Sequence, residues 1–213
     1  MWVCVIVTYT LFHNNPQHRS IMSISKTRNH LVECARELFA RKGFEATTMN
    51  DIASASNKGR RTLYTYFKNK EELYEAVITS ELEILSERLD ETANKIISPE
   101  EKIIGIIYTH LSVIKEVVTR NGTLRAEFFR DIRTVERVRR AFDEEERSVL
   151  RQVLQEGVDR NHFKIESIPL VADIIHYAIK GMEVPYIYDR VAKGLSSDDS
   201  KRIVCDILNK VLK

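Results

Sequence analysis

Along most of this chain apolar residues recur at spacings of three and four, and no stretch of strand length alternates cleanly, so the pattern predicts helices and no sheet. Leu31, Ala35, Leu38 and Phe39 mark one side of a first helix, expected from a Ser25 cap to Lys42. Gly43 supplies its left-handed stop, and Phe44 the hydrophobic residue that folds back beyond it. Thr48 with Asp51 reads as a capping box opening a helix of about two turns, and Asn57 as a residue that tolerates the positive φ of a sharp stop. Gly59 then admits a second short helix, to Phe67, anchored by Leu63 and Phe67 at i and i+4. Asn69 and Glu72 repeat the capping-box logic and start a long helix to about Lys95, carrying Leu73, Val77, Leu82, Leu85 and Leu89.

Ser98-Pro99-Glu100-Glu101 is a full helix start, with a cap, a proline at the first position and a glutamate at the third. The helix it opens, to Arg120, is apolar on nearly every side, as the centre of a second core should be. Its polar exceptions, Tyr108 and His110, either line a ligand cavity or are ordinary hydrogen-bonded residues. Gly122 breaks the chain, and Leu124 to Ile132 forms a short amphipathic helix with Phe128 and Phe129. Thr134 to about Arg160 is a long charged helix with Val135, Val138, Phe142, Val149, Val153 and Leu154 as its seam. Its Arg137, Arg139, Arg140 and Asp143-Glu144-Glu145-Glu146 run reads as a solvated face laced with ion pairs. Two closing helices carry the stripes Val171, Ile174, Ile175, Ala178, Ile179, Met182 and Ile203, Val204, Ile207, Leu208, Val211, Leu212. They hold more apolar surface than a peripheral hairpin buries, so they either close the monomer core or pair with a twin subunit. His176 and Tyr177, with Pro185 and its tyrosine neighbours, face either a pocket or that interface.

The expected fold is all-α, about nine helices in all. Seven glycines and four prolines in 213 residues leave few breakers, and a net charge of +2 says little about partners. Cys4, Cys34 and Cys205 are scattered without metal-ligand spacing, which points to a reducing compartment and to no metal or disulfide. The apolar run at residues 2 to 12 is too short to span a bilayer, which takes roughly 20 residues. No basic residue precedes it, so it does not read as a signal peptide. Residues 1–21 are expected to be a disordered or artefactual extension, with the natural start at Met22. No catalytic constellation, phosphate loop or cofactor motif is found, so neither an enzyme nor a cofactor is expected.

Charge is local instead. Between Ser56 and Lys70 stand Lys58, Arg60, Arg61 and Lys68 and no acidic residue, around a short helix that follows a tight turn. That is the electrostatic footprint of a phosphate-backbone partner and the dimension of a major groove. Asp51-Ile52-Ala53, Thr62-Leu63-Tyr64-Thr65-Tyr66-Phe67 and Lys70-Glu71-Glu72-Leu73, with Ala35 to Phe39 and Gly43 to Thr48 before them, resemble the amino-terminal DNA-binding module of the tetracycline-repressor (TetR) family. The likeness covers about fifty residues. It departs at the turn, where Ser56-Asn57-Lys58-Gly59 replaces the family's usual Ala-Gly-Val-Ser. The lost serine cap costs a few tenths of a kcal/mol when glycine replaces it.

The resemblance implies a three-helix helix-turn-helix domain at 22–70 and a helical ligand-binding and dimerisation domain at 71–213. It also implies a cytoplasmic homodimer, with no membrane association, that represses from a near-palindromic duplex operator and is released by a small apolar or amphipathic effector. Arg60, Arg61 and Tyr64 suit base edges, and Thr48, Lys58, Thr62, Thr65, Tyr66 and Lys70 suit phosphates. Candidate pocket residues are Tyr108, His110, Phe128, Phe129, His176 and Tyr177. Candidate interface residues are Ile174, Ile175, Ala178, Ile179, Met182, Val204, Ile207, Leu208 and Val211. The resemblance assigns the 124–132 helix to touching the DNA module. The alternative is a dimeric helical sensor that acts through protein contacts without DNA.

Overall fold

The computed structural model describes residues 16–120, 132–191, 193–194 and 196–212. Among them lie eight α-helices and no strand: α1 (Pro16–Lys42), α2 (Met49–Ala55), α3 (Arg60–Tyr66), α4 (Lys70–Ala93), α5 (Pro99–Arg120), α6 (Ile132–Asp159), α7 (Ile168–Ile187) and α8 (Ser197–Leu212). The expected helix at 124–132, with Phe128 and Phe129, lies almost wholly outside the described residues. The chain divides into two compact units, Met1–Val77 and Ile78–Lys213, so the division falls inside α4 rather than at its start.

In the first unit α1 begins at Pro16, well before the expected Ser25 cap. Proline suits a first helical position because its missing N–H has no partner there anyway, and nothing between it and Lys42 breaks the helix. Gly43 takes φ 85° and its N–H closes on the Phe39 carbonyl at 2.9 Å. Phe44 then packs on Phe39, ring centroids 5.5 Å apart, as the stop predicts. Leu31, Ala35, Phe39, Ile52, Leu63, Phe67 and Leu73 are essentially sealed and form one small core.

The second unit is built on α5. Ile103, Ile106, Ile107, Leu111, Val113, Ile114, Val117 and Val118 are all buried, and α6, α7 and α8 pack against it. Ser98 and Glu101 form the expected capping box: each side chain takes the other's backbone N–H, at 3.2 and 2.9 Å. The α6–α7 turn depends on Gly157, where an added Cβ would come within 2.0 Å of the Phe163 ring.

The stripe expected on α7 splits in two. Ile175 and Ile179 are 7% and 0% exposed and belong to the monomer core, which removes them from the interface set. Ile174 is 59% exposed, because neighbouring positions differ by about 100° around a helix and cannot share a face. Ala178 is exposed with it, and Met182 lies between the two faces. On α8, Ile207 and Val211 are 56% and 73% exposed, whereas Val204 and Leu208 are half-buried. No helix among the described residues is long and apolar enough to cross a membrane.

Candidate nucleic-acid interface

The first helix of the pair is fixed at both ends. The Thr48 Oγ1 accepts from the Asp51 N–H at 3.2 Å, while the Asp51 Oδ2 accepts from both the Thr48 N–H and its hydroxyl at 2.9 Å. These bonds, with Lys42 nearby, hold the Asp51 carboxyl below its ordinary value. At the other end Asn57 adopts φ 52°, the Lys58 N–H reaches the Ala53 carbonyl at 3.1 Å, and the Asn57 N–H reaches the Ser54 carbonyl at 3.2 Å. These are the two bonds of a Schellman stop. Its usual apolar residue after the left-handed position is here Lys58, which stays exposed. Buried Ser56 supplies the anchoring instead: its hydroxyl bonds the Ala53 carbonyl, and His30 of α1 lies 3.2 Å from its own carbonyl oxygen.

Gly59 caps α3 without a side-chain bond, as the substitution for serine implies. Leu63 and Phe67 turn inward, 0% and 2% exposed. With that face fixed, Arg60, Arg61, Tyr64 and Thr65 project outward together, Lys58 joins them from the turn, and Thr62 and Tyr66 lie half-buried on the flanks. The structure therefore brings the cations and Tyr64 onto one surface, with Arg28 of α1 placed 5.2 Å from the Phe67 ring.

Three expected phosphate contacts are otherwise engaged. The Thr48 hydroxyl proton goes to Asp51, and the Thr65 hydroxyl donates to the Arg61 carbonyl at 2.9 Å, so neither has a proton to offer. Lys70 donates to the Phe44 carbonyl at 2.7 Å and lies 4.2 Å from the Phe44 ring. It ties the start of α4 to the loop after α1. Asn69 caps Glu72 as expected, at 2.8 Å, but Glu72 reaches back one residue further, to the Lys68 N–H.

The pocket candidates part company in the second unit. His110 sits between two carboxylates, Nδ1 2.5 Å from Glu146 and Nε2 2.9 Å from Glu183, while the His176 Nδ1 lies 2.5 Å from the other Glu146 oxygen. Arg139 forks onto Glu183 at 2.5 and 3.2 Å, and Lys180 bonds Asp143 at 2.6 Å. Burial pulls His110 down, yet its two carboxylate partners outweigh it and hold the imidazole up to about 9. Burial pushes Glu146 and Glu183 up. The imidazoles on Glu146, and His110 with Arg139 on Glu183, overcome it and hold each carboxyl down to about 2.

The α6 charges are thus not simply a solvated face: Glu146 is 4% exposed and shielded from water. Its position follows from spacing, since Arg139, Phe142, Glu146 and Val153 recur at three, four and seven and share the core side. Beside the network lies a cavity of about 20 Å³, room for one water and far below the roughly 300 Å³ of a ligand pocket. Tyr108 is half-buried and bonds the Ser200 hydroxyl instead, and Tyr177 is 61% exposed on α7. The sequence reading missed Glu146, Glu183 and Arg139. The available signal was the pair of histidines on otherwise apolar helices, which must find buried partners.

Residues 31–77 match the family model described as bacterial regulatory proteins, tetR family. The uncharacterized HTH-type transcriptional regulator YhgD of Bacillus subtilis is 40% identical over 70 residues, 33% of this chain and 36% of that protein. The transcriptional repressor KstR2 of Mycolicibacterium smegmatis is 28% identical over 158 residues, 72% of this chain and 74% of its own length. Among solved structures, a TetR/AcrR-family regulator from Thermobifida fusca aligns with TM-score 0.62 and 25% identity, covering 85% of this chain and 96% of that one. FadR of Bacillus subtilis, solved with stearoyl-CoA, aligns with TM-score 0.62 at 19% identity, covering 86% and 98%, and shows the shared fold. The matched relatives are transcriptional regulators rather than enzymes.

Proposed function

Through residues 31–77 the chain is a member of the tetR family of bacterial regulatory proteins and a DNA-binding regulator, and on that premise we propose that it is a homodimeric repressor released from its operator by a small effector. One observation supports the DNA face above others: Lys58, Arg60, Arg61 and Tyr64 stand exposed on one side of a turn and helix whose other side is locked by Leu63 and Phe67. Guanidinium groups there suit guanine edges, the Tyr64 ring suits a thymine methyl, and Lys58 suits a phosphate.

Dimerisation is supported by the outward stripes of α7 and α8. Ile174, Tyr177, Ile203, Ile207 and Val211 are large, apolar and 42% to 73% exposed, an arrangement a four-helix contact between two copies would cover. Two α3 helices related by a two-fold axis would enter successive major grooves of a near-palindrome, with half-sites about one helical turn apart.

The effector acts on the second unit. Its described core holds an ion network and a one-water cavity, and the effector is taken to stabilise a more open arrangement of that core. Such a ligand shifts the population by its differential affinity for the two arrangements. The stearoyl-CoA complex of FadR favours an amphipathic molecule. Helix α4 runs from the first unit into the second and is the element through which the change reaches α3.

The test is DNA retention by the purified full chain across a salt series. The Lys58 phosphate contacts of two copies predict a loss of affinity of at least roughly tenfold between 50 and 200 mM salt, steeper if Arg60 and Arg61 also touch phosphate. Salt-independent retention, or none, would favour the protein-contact sensor.

A further inference from the structure

Helix α7 has three faces, and two of them are used within the chain. Ala172, Ile175 and Ile179 are buried in the core of the second unit. A second face is tied to α6 by four acid–base rungs: Asp173 to Arg147 at 3.7 Å, His176 to Glu146 at 2.5 Å, Lys180 to Asp143 at 2.6 Å and Glu183 to Arg139 at 2.5 Å. Along α7 the rungs read acid, base, base, acid, and α6 answers each with the opposite type. Sliding α7 by one rung would set Asp173 against Glu146 and Lys180 against Arg139, so the ladder admits one register and fixes the rotation of the helix.

That rotation leaves the third face outside. Leu170, Ile174, Tyr177, Gly181, Val184 and Tyr188 follow at spacings of four, three, four, three and four, all exposed and without a charge among them. This is the seam spacing of two helices that cross at a shallow angle. Its five side chains leave roughly 550 Å² uncovered, and Ile203, Ile207 and Val211 of α8 bring the total to roughly 850 Å², against roughly 800 Å² per partner in a stable interface. Gly181 is the odd member of the seam. Its backbone φ is not in the left-handed region, and a Cβ built there meets nothing within 4 Å, so neither conformation nor packing inside the chain calls for glycine. Glycine weakens a helix interior relative to alanine and serves where another backbone must come close. Tyr177, four residues before it, and Val184, three after, stand on either side of the gap it leaves.

We propose that α7 pairs with α7 of a second copy across a two-fold axis at Gly181, the two backbones meeting there with Tyr177 and Val184 of both chains packed around the contact. A two-fold sets a residue on the axis against itself, and glycine is the residue that lets two identical helices touch at that point. The inference rests on the dimer of the proposed function and deepens it, assigning the closest approach to one residue and holding the contact face ready through the ladder to α6.

Cross-linking of the full chain tests this. With Cys4, Cys34 and Cys205 replaced by serine, Gly181→Cys should form an intermolecular disulfide in most chains under mild oxidation, read on a non-reducing gel, because a disulfide needs Cα atoms within roughly 7 Å. Glu87→Cys, exposed on α4, should not. Gly181→Leu should weaken self-association at least tenfold in sedimentation, with helical circular dichroism unchanged. Leucine is the better helix former and its Cβ meets nothing in the single chain, so misfolding does not supply that loss. The crossing is overturned if Gly181→Cys links no more readily than Glu87→Cys, or if Gly181→Leu associates as wild type does. Should Ile174→Glu with Ile207→Glu then still give monomers, the dimer stands and only the crossing at Gly181 falls; a monomeric wild type sinks both.

Discussion

Replacing Glu146 with glutamine keeps the shape of the buried clamp and removes the charge that holds two imidazoles. In the folded protein Glu146 touches His110 and His176 at 2.5 Å each, across α5, α6 and α7. Raising His110 from 6.5 to about 9 corresponds to about 3 kcal/mol. The depression of Glu146 and Glu183 to about 2 describes much of the same attraction from the acid side, so it is not added. Because Glu183 still holds His110 in the variant, the expected loss is about 2 kcal/mol, below the 3–5 kcal/mol of a fully orphaned buried charge. That is roughly 4–8 °C in the melting temperature of the second unit.

The pH profile supplies the sign. His110 is raised above its unfolded value, so its contribution is complete below pH 6.5 and vanishes as pH rises through about 9. Glu146 and Glu183 are depressed, so theirs is complete above pH 4.5 and is lost as pH falls towards about 2. The clamp therefore contributes most between those limits and stays ionised at neutral pH: it is a fixed cross-brace, not a neutral-pH switch. Thermal denaturation of wild type and Glu146→Gln from pH 5 to 10 checks this. The two should converge as the alkaline limb is climbed. A variant within about 0.5 kcal/mol of wild type at pH 6, or an unchanged alkaline limb, would refute the clamp.

Arg60→Ala should relax preference at particular base pairs by about 1–3 kcal/mol in a binding-site selection, and a uniform loss over all sequences would reassign Arg60 to the backbone. Lys70→Ala should lower the melting temperature of the first unit through loss of the Phe44 contacts while leaving the salt slope of DNA binding nearly intact; a slope lower by about one charge would return Lys70 to the phosphate set. Ile174→Glu with Ile207→Glu should give a folded monomer by light scattering, since both positions are exposed, whereas an intact dimer would remove the four-helix contact. Gly157→Ala should cost about 1–3 kcal/mol in denaturant titration, because its methyl collides with the Phe163 ring, and a neutral result would mean that ring is free to move.

Those helix boundaries that carry a local signal were legible, whereas the start of α1 at Pro16 instead of Ser25 was not. Thr48 with Asp51, Ser98 with Glu101, Gly43 and Asn57 each act within a few residues of themselves, and each appears in the structure as read. The outward cationic face of α3 was legible for the same reason, since two anchors at i and i+4 fix which residues point away. Long-range partnerships were not. Glu146 looks like one member of an acidic run until His110 and His176 are brought to it from 36 and 30 residues away. Likewise nothing near Lys70 in sequence announces Phe44, 26 residues earlier, as its partner. Ile174 and Ile175 could not be sorted between core and interface until packing fixed the rotation of α7.

The central claim is that the surface around Arg60, Arg61 and Tyr64 is presented twice to one duplex. Selection of bound fragments from a random duplex pool, followed by mass measurement of the complex with the winning sequence, tests it most directly. Two inverted half-sites centred about one helical turn apart, bound by an even number of chains, are predicted. A single unrepeated site occupied by one chain, or a pool that yields no preferred sequence, would contradict it.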